Sequence, residues 1–209
     1  MNELMARRRA MMGKKQSGGL PNDYQEVEYV QSDGVPYIQT DHKFNGTAKV
    51  KVRLACVGNQ STSNYFGVNE QATGALVAFG VISFSSAHKL GFFVFGGQVQ
   101  AIPFDNVFHD YYISKDGVSV DGTSYTLSGT VRPSQITKSL KLFRFVAGGN
   151  ASLSPSKLGR IEISLDGNDY LYVPCYRKSD DEIGFYELTT QTFYTNANNT
   201  GTFTKGADV

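Results

Sequence analysis

The sequence predicts an all-β fold, a two-sheet antiparallel jelly-roll sandwich, and three observations predict it. Apolar and polar residues alternate with a period of two in several short runs. Asp-Gly and Asn-Gly dipeptides recur between those runs, at Asp33-Gly34, Asn45-Gly46, Asp116-Gly117, Asp121-Gly122 and Asp166-Gly167, as hairpin-rich chains require. No helical periodicity of useful length follows residue 20. At 209 residues, with 12 Tyr, 14 Phe and 22 Gly, the chain can bury one full core between aromatic-rich strands and tight turns.

Residues 1–12, MNELMARRRAMM, differ from the rest. They contain good helix formers and no β-branched residue. Leu4, Met5, Met11 and Met12 fall along one side of a short helix, with Arg7, Arg8 and Arg9 largely elsewhere. So short a helix needs a partner to be stable. Residues 13–20, GKKQSGGL, read as a flexible tether. The predicted organisation is therefore an anchor and tether over 1–20 and a sandwich over 21–209.

Within the sandwich, Ala48, Val50, Val52, Leu54 and Cys56 alternate with Lys49, Lys51, Arg53 and Ala55, giving a strand with one wet face. Leu90 to Phe95 is apolar on both faces, as in a covered central strand. Residues 115–122 predict two turns around one very short strand. Ile161, Ile163 and Leu165 alternate with Glu162, Ser164 and Asp166. The run from Val173 to Leu188, then Thr192–Asn196 and Gly201–Gly206, reads as short strands and turns with exposed aromatics.

Charge is nearly balanced, at +1, so the chain as a whole is no electrostatic nucleic-acid binder. Cys56 and Cys175 are expected as free thiols, because a core of this size needs no staple. No apolar run approaches the roughly 20 residues of a membrane span. No apolar stretch follows the arginines as in a secretory signal.

Two blocks carry a resemblance. One runs from Leu20 to Thr40 and contains Glu28-Tyr29-Val30, Gly34 and Tyr37-Ile38-Gln39-Thr40; the other is the block from Val173 to Leu188. Together they resemble the concanavalin A-like, laminin-G-like domains of gut phages and prophages. Gln39 stands where that family usually has aspartate, and Val35-Pro36 where a Thr-Gln pair is common. The resemblance spans about residues 20–209 and is loose between the two blocks. It implies a jelly-roll sandwich and a non-enzymatic virion role: a head fibre, decoration or tail-associated adhesin on the virion surface, assembled in the bacterial host cytoplasm. The implied partners are other phage structural proteins, met through residues 1–12, and glycans or a host surface; self-association is compatible with it. A purely structural capsid, tail or baseplate part and a glycan hydrolase are the alternatives.

No catalytic, cofactor or metal site is predicted. His42, His88 and His109 lack ligand-like spacing and read as unrelated surface or loop residues. Glycoside hydrolysis needs two facing carboxylates. The nearest candidates are Glu26 with Glu28, Glu162 with Asp166, and Asp180-Asp181-Glu182, and none forms a compact strand motif. The last trio reads as a solvated turn rather than a calcium site. Arg7–Arg9 with Lys14 and Lys15 could meet an acidic groove, nucleic acid or a membrane surface, and docking into a structural partner suits the tether best. Tyr65, Tyr176, Tyr186 and Tyr194 are candidates for stacking on a sugar, with core packing the equal alternative for each. The loops 58–64, 147–155 and 196–202 are the expected contact loops.

Overall fold

The computed structural model describes residues 19–57, 64–72, 75–84, 89–103, 105–131, 136–147, 150–153 and 155–209. The predicted anchor over 1–12, with Leu4, Met5, Arg7, Arg8, Arg9, Met11 and Met12, lies outside these residues, as do the tether up to residue 18 and His88.

The described chain is all strand and turn. In order it forms β1 (Tyr24–Glu26), β2 (Val30–Ser32), β3 (Ile38–Lys43), β4 (Lys49–Cys56), β5 (Asn64–Ala72), β6 (Ala75–Phe84), β7 (Lys89–Val94), β8 (Gly97–Pro103), β9 (His109–Ser114) and β10 (Gly117–Val120). There follow β11 (Thr123–Tyr125), β12 (Ser139–Leu142), β13 (Arg144–Ala147), β14 (Asn150–Leu153), β15 (Ser156–Leu165), β16 (Asn168–Arg177), β17 (Glu182–Glu187), β18 (Thr192–Tyr194) and β19 (Thr204–Lys205).

Two antiparallel sheets make a sandwich of jelly-roll type, as predicted. The larger runs β11-β10-β9-β4-β15-β16-β17-β18, with β1, β2 and β19 attached beside β15 and β16. The smaller runs β3-β12-β5-β6-β7-β8. Alternation sets which residues meet between them. Val50, Val52 and Leu54 of β4 and Ile161 and Ile163 of β15 join Phe66, Phe79, Val81 and Phe92 of the smaller sheet in one buried cluster. Aromatic edges lock the layers, since rings prefer tilted and edge-on contacts. Phe44 meets Phe79 at 4.9 Å between ring centroids. Phe92 of the smaller sheet meets Tyr111 of the larger at 5.6 Å. The Leu90–Phe95 run lies in β7 up to Val94, flanked by β6 and β8, with Phe95 in the turn that follows, and the very short strand is the four-residue β10.

The turn dipeptides are of three kinds, Asp116-Gly117 joining β9 to β10 with only its glycine at positive φ, 152°. Asp121-Gly122 has φ of 48° and 84°, and Asp166-Gly167 has 53° and 79°. Positive φ at both central residues is the geometry that closes a two-residue hairpin. Asn45-Gly46 and Asp33-Gly34 instead mark crossings between sheets, because β3 belongs to the smaller sheet while β2 and β4 belong to the larger. At the β3–β4 crossing Asn45 caps its own turn by accepting from Thr47 N at 2.8 Å. Short polar side chains of this kind hold turns by bonding the backbone two residues on.

Three expectations are corrected. His42 is no loop residue: it takes an inward position of β3 and is 9% exposed. His109 opens β9 instead of lying in a loop. The expected contact loop 147–155 is largely taken up by a hairpin, β13 paired with β14. Phe145 and Val146 have the strand preference that supports it. Residues 58–63 of another expected loop lie outside the described residues. Among the described residues no helix is long and apolar enough to cross a membrane.

Candidate functional site

Strand periodicity creates an open, polar face on the larger sheet. With Val50, Val52 and Leu54 pointing inward, Lys51 and Arg53 must point out. Register places Glu162, Lys51, Tyr112 and Ser119 side by side across β15, β4, β9 and β10. One row further, Arg53 stands opposite Asp110. The β15–β4 register shifts at a bulge between Leu158 and Ile161. A bulge bends its strand, and the β15–β16 pairing ends beside this one, at Ile161 opposite Tyr172. β1 and β2 fill the wedge, β1 pairing with β16 and β2 with β15. The connection between them, Val27–Tyr29, borders the exposed floor. The result is a groove of about 870 Å³ bordered by Tyr29, Phe108 and Tyr112 among others.

One ion pair ties the floor to this border and a second spans the floor itself. Arg160 Nε donates to Glu26 Oε1 at 2.7 Å, and Lys51 Nζ donates to Glu162 Oε2 at 2.9 Å. The second pair is exposed on both sides, so it contributes little to stability. Two packed rings with a cation at each end cross one end of the groove. Lys157 Nζ lies 4.7 Å from the Tyr29 ring centre. The Tyr29 ring is 5.5 Å from that of Phe108. The Arg53 guanidinium lies 5.4 Å from the Phe108 ring centre. Each cation meets the negative face of a ring.

Phe108 is held by its neighbour. The His109 ring is clasped at both nitrogens, Nδ1 by Asp121 at 2.5 Å and Nε2 by Asp105 at 3.0 Å. Partial burial opposes the imidazolium, but the hydrogen bonds and charges of Asp121 and Asp105 prevail and raise its pKa above 6.5. Both carboxylates move below the usual range in return. Asp121 does so first through its hydrogen bond to His109. Asp105 does so, against some burial, through bonds from Val107 and His109. Asp121 also accepts the backbone N–H of Asp110 at 2.9 Å. One clasp therefore joins the 105–108 loop, the start of β9 and the β10–β11 turn. With both nitrogens engaged, the ring has no free lone pair for a metal. No group of three potential metal ligands occurs among the described residues.

The predicted stacking tyrosines are not brought together. Tyr65 is fully buried on β5. Tyr186 is 7% exposed, its ring 4.8 Å from that of Tyr24. Tyr176 is half-buried beneath Lys205, whose Nζ lies 4.5 Å from the ring centre. Tyr194 is half-buried, donates to Asp41 at 3.1 Å and packs on Tyr172. None of the four borders the groove. The aromatics that do, Tyr29, Phe108, Tyr111 and Tyr112, carry no signal in the sequence beyond their places in short alternating runs. The carboxylate candidates fare differently. Glu26, Glu28 and Glu162, distant in sequence, share this groove with Asp110. Asp166 is instead bound to Asn45 and Thr47, and Asp180 to Arg177. Within the groove Glu26 is ion-paired to Arg160 and Glu162 to Lys51.

No protein-family model matches the chain, and no curated protein matches it. Among solved structures, an apo Crh5 transglycosylase is similar to it at a TM-score of 0.43 and 16% identity, over 75% of this chain and 85% of that one.

Proposed function

We propose that this chain is a non-enzymatic display module of a phage virion surface that holds glycans weakly and gains strength from copy number. The glycan half of this reading is carried by the groove. It combines ring faces, which suit the apolar faces of sugar rings, with donors and acceptors for hydroxyl groups. Three basic and four acidic side chains border it. It therefore has no strong preference for a polyanion such as nucleic acid. The virion half is supported by the resemblance of the opening and closing blocks. Residues 1–12 would dock to another structural protein, and residues 21–209 would face outward.

An open groove with exposed side chains orders little of its ligand, so single-site affinity is expected on the order of tens of micromolar to millimolar. A glycan array probed with the monomer and with the same protein clustered on beads tests this. Clustered protein should bind at least about a hundredfold more tightly. No glycan bound in either form would leave only a structural role. For the anchor, particles assembled with protein lacking residues 1–12 should lack it altogether; normal incorporation would refute the docking role.

A further inference from the structure

Arg53 and Asp110 stand opposite each other on neighbouring strands, on the floor of the groove. The other two cations bordering the groove, Lys51 and Arg160, are taken by Glu162 and Glu26. Arg53 has no ion pair among the described residues, and the Asp110 carboxylate has no hydrogen-bond partner among them. The stem of Arg53 is nevertheless fixed. It lies over Gly159 in the bulge of β15, where a Cβ would come within 3.2 Å of the Arg53 Cβ and 3.4 Å of its Cδ. Its guanidinium is held beside the Phe108 ring. The Asp110 backbone is fixed as well, donating to the Asp121 carboxylate at 2.9 Å and accepting from Asp121 N at 3.0 Å. A forked donor, an acceptor-only carboxylate and a ring face thus share one small area with their backbones immobilised.

We infer that Arg53, Asp110 and Phe108 form a subsite for a neutral sugar with adjacent hydroxyl groups. This deepens the glycan reading and rests on it. Two neighbouring hydroxyls each donate one proton and accept another. Asp110 accepts from them while Arg53 donates to them, and the Phe108 ring covers the apolar face of the pyranose. An acidic sugar is disfavoured: a carboxylate that met Arg53 would lie beside Asp110, with Glu162 and Glu26 already ion-paired nearby. The His109 clasp is a positioning device for this subsite, since it fixes the loop that carries Phe108.

The test uses the full chain on an array of neutral oligosaccharides beside sialylated, sulfated and uronate-containing ones, followed by titration of the best ligand. Arg53→Met keeps the stem over Gly159, and Asp110→Asn keeps the shape of the carboxylate. Both residues are exposed. Melting temperatures should therefore stay close to that of the parent. Neutral glycans should be preferred. Each substitution should weaken binding about tenfold or more, the scale of one hydrogen bond to a charged group. Neutral binding that both variants retain in full overturns the subsite but leaves the glycan reading intact, and so does a preference for acidic glycans. Binding to no glycan at all overturns both.

Discussion

His42 leaves its Nε2 buried without a hydrogen-bond partner among the described residues, its ring 4.2 Å from that of Tyr170 and 5.8 Å from that of Tyr172. Burial is the largest influence on it and draws its pKa below 6.5, against Glu187 and Asp41, which pull upward. His109 is displaced the other way by its two aspartates. Their linkage to stability is therefore opposite. The contribution of neutral His42 is fully present above pH 6.5 and is lost as pH falls from there through its lowered pKa. The His109 clasp contributes fully below pH 6.5 and fades as pH rises through its raised pKa. At the acid end the clasp fails only when Asp105 and Asp121 protonate, below the ordinary carboxylate range. Urea denaturation from mildly acidic to mildly basic pH checks this. His42→Phe should make stability rise on acidification relative to the parent, and His109→Gln should make it fall. Parallel profiles for the two variants would contradict the assignment.

The β17–β18 hairpin shows how one element depends on two small features. Gly184 packs against the next strand so tightly that a Cβ would land on the Tyr194 carbonyl oxygen. Gly184→Ala should cost about 3 kcal/mol, at the upper end for overpacking, and lower the melting temperature accordingly. Glu187, fully buried, ends β17 and organises the turn. Burial opposes its charge, yet a bond from Thr190 Oγ1 at 2.6 Å and bonds from the backbone N–H groups of Thr189 and Thr190 hold its pKa below the usual value. It also accepts from Leu171 N at 3.2 Å, so it clips β16 to the turn. Glu187→Ala would strand these donors and should cost about 3 kcal/mol or more, measurable as a shifted urea midpoint at unchanged m-value. A loss under about 1 kcal/mol would mean water replaces the carboxylate. The β7–β8 hairpin instead turns at Phe95-Gly96, with Phe95 at φ 50°. A bulky side chain in the left-handed region persists only where its surroundings hold it. Here the core does so: Phe95 is fully buried, its ring 5.7 Å from that of Phe79.

At the scale of the whole molecule, the core closes without covalent help. Cys56 and Cys175 are both free and buried. Burial, the main cause, pushes the Cys175 thiol up to about 12 and raises that of Cys56 further. The thiolate needed for attack is thus scarce in the folded state. Native protein should react with Ellman's reagent only as fast as it unfolds, and a reductant should leave the melting temperature unchanged. Rapid labelling of either thiol would show local opening at β4 or β16. The outer face of the larger sheet stays open once its other face is buried in the sandwich. Its groove is a consequence of the bulge in β15 and the wedge formed by β1 and β2, and no single strand contains it.

The sequence by itself determined the strand character, the inward sets on β4 and β15, the two Asp-Gly hairpins and the free thiols. The strands and hairpins depend on period-two alternation and on residues that tolerate positive φ, both readable within a few positions. The thiols follow from a core large enough to need no staple. It also placed Lys51 and Arg53 on a wet face and Glu26, Glu28 and Glu162 among the carboxylates of interest. Only the tertiary structure decided that these residues share a groove, that His42 is buried, and that the Asp33-Gly34 and Asn45-Gly46 turns cross between sheets. Tyr65 and Tyr186 went into packed surroundings for the same reason that Tyr29 and Phe108 came to border the groove. Alternation gives a side chain's face. The sheet, the neighbours and the bulge that give that face a purpose are set by strand pairing between residues far apart in the chain, such as Lys51 with Glu162 and Arg53 with Asp110.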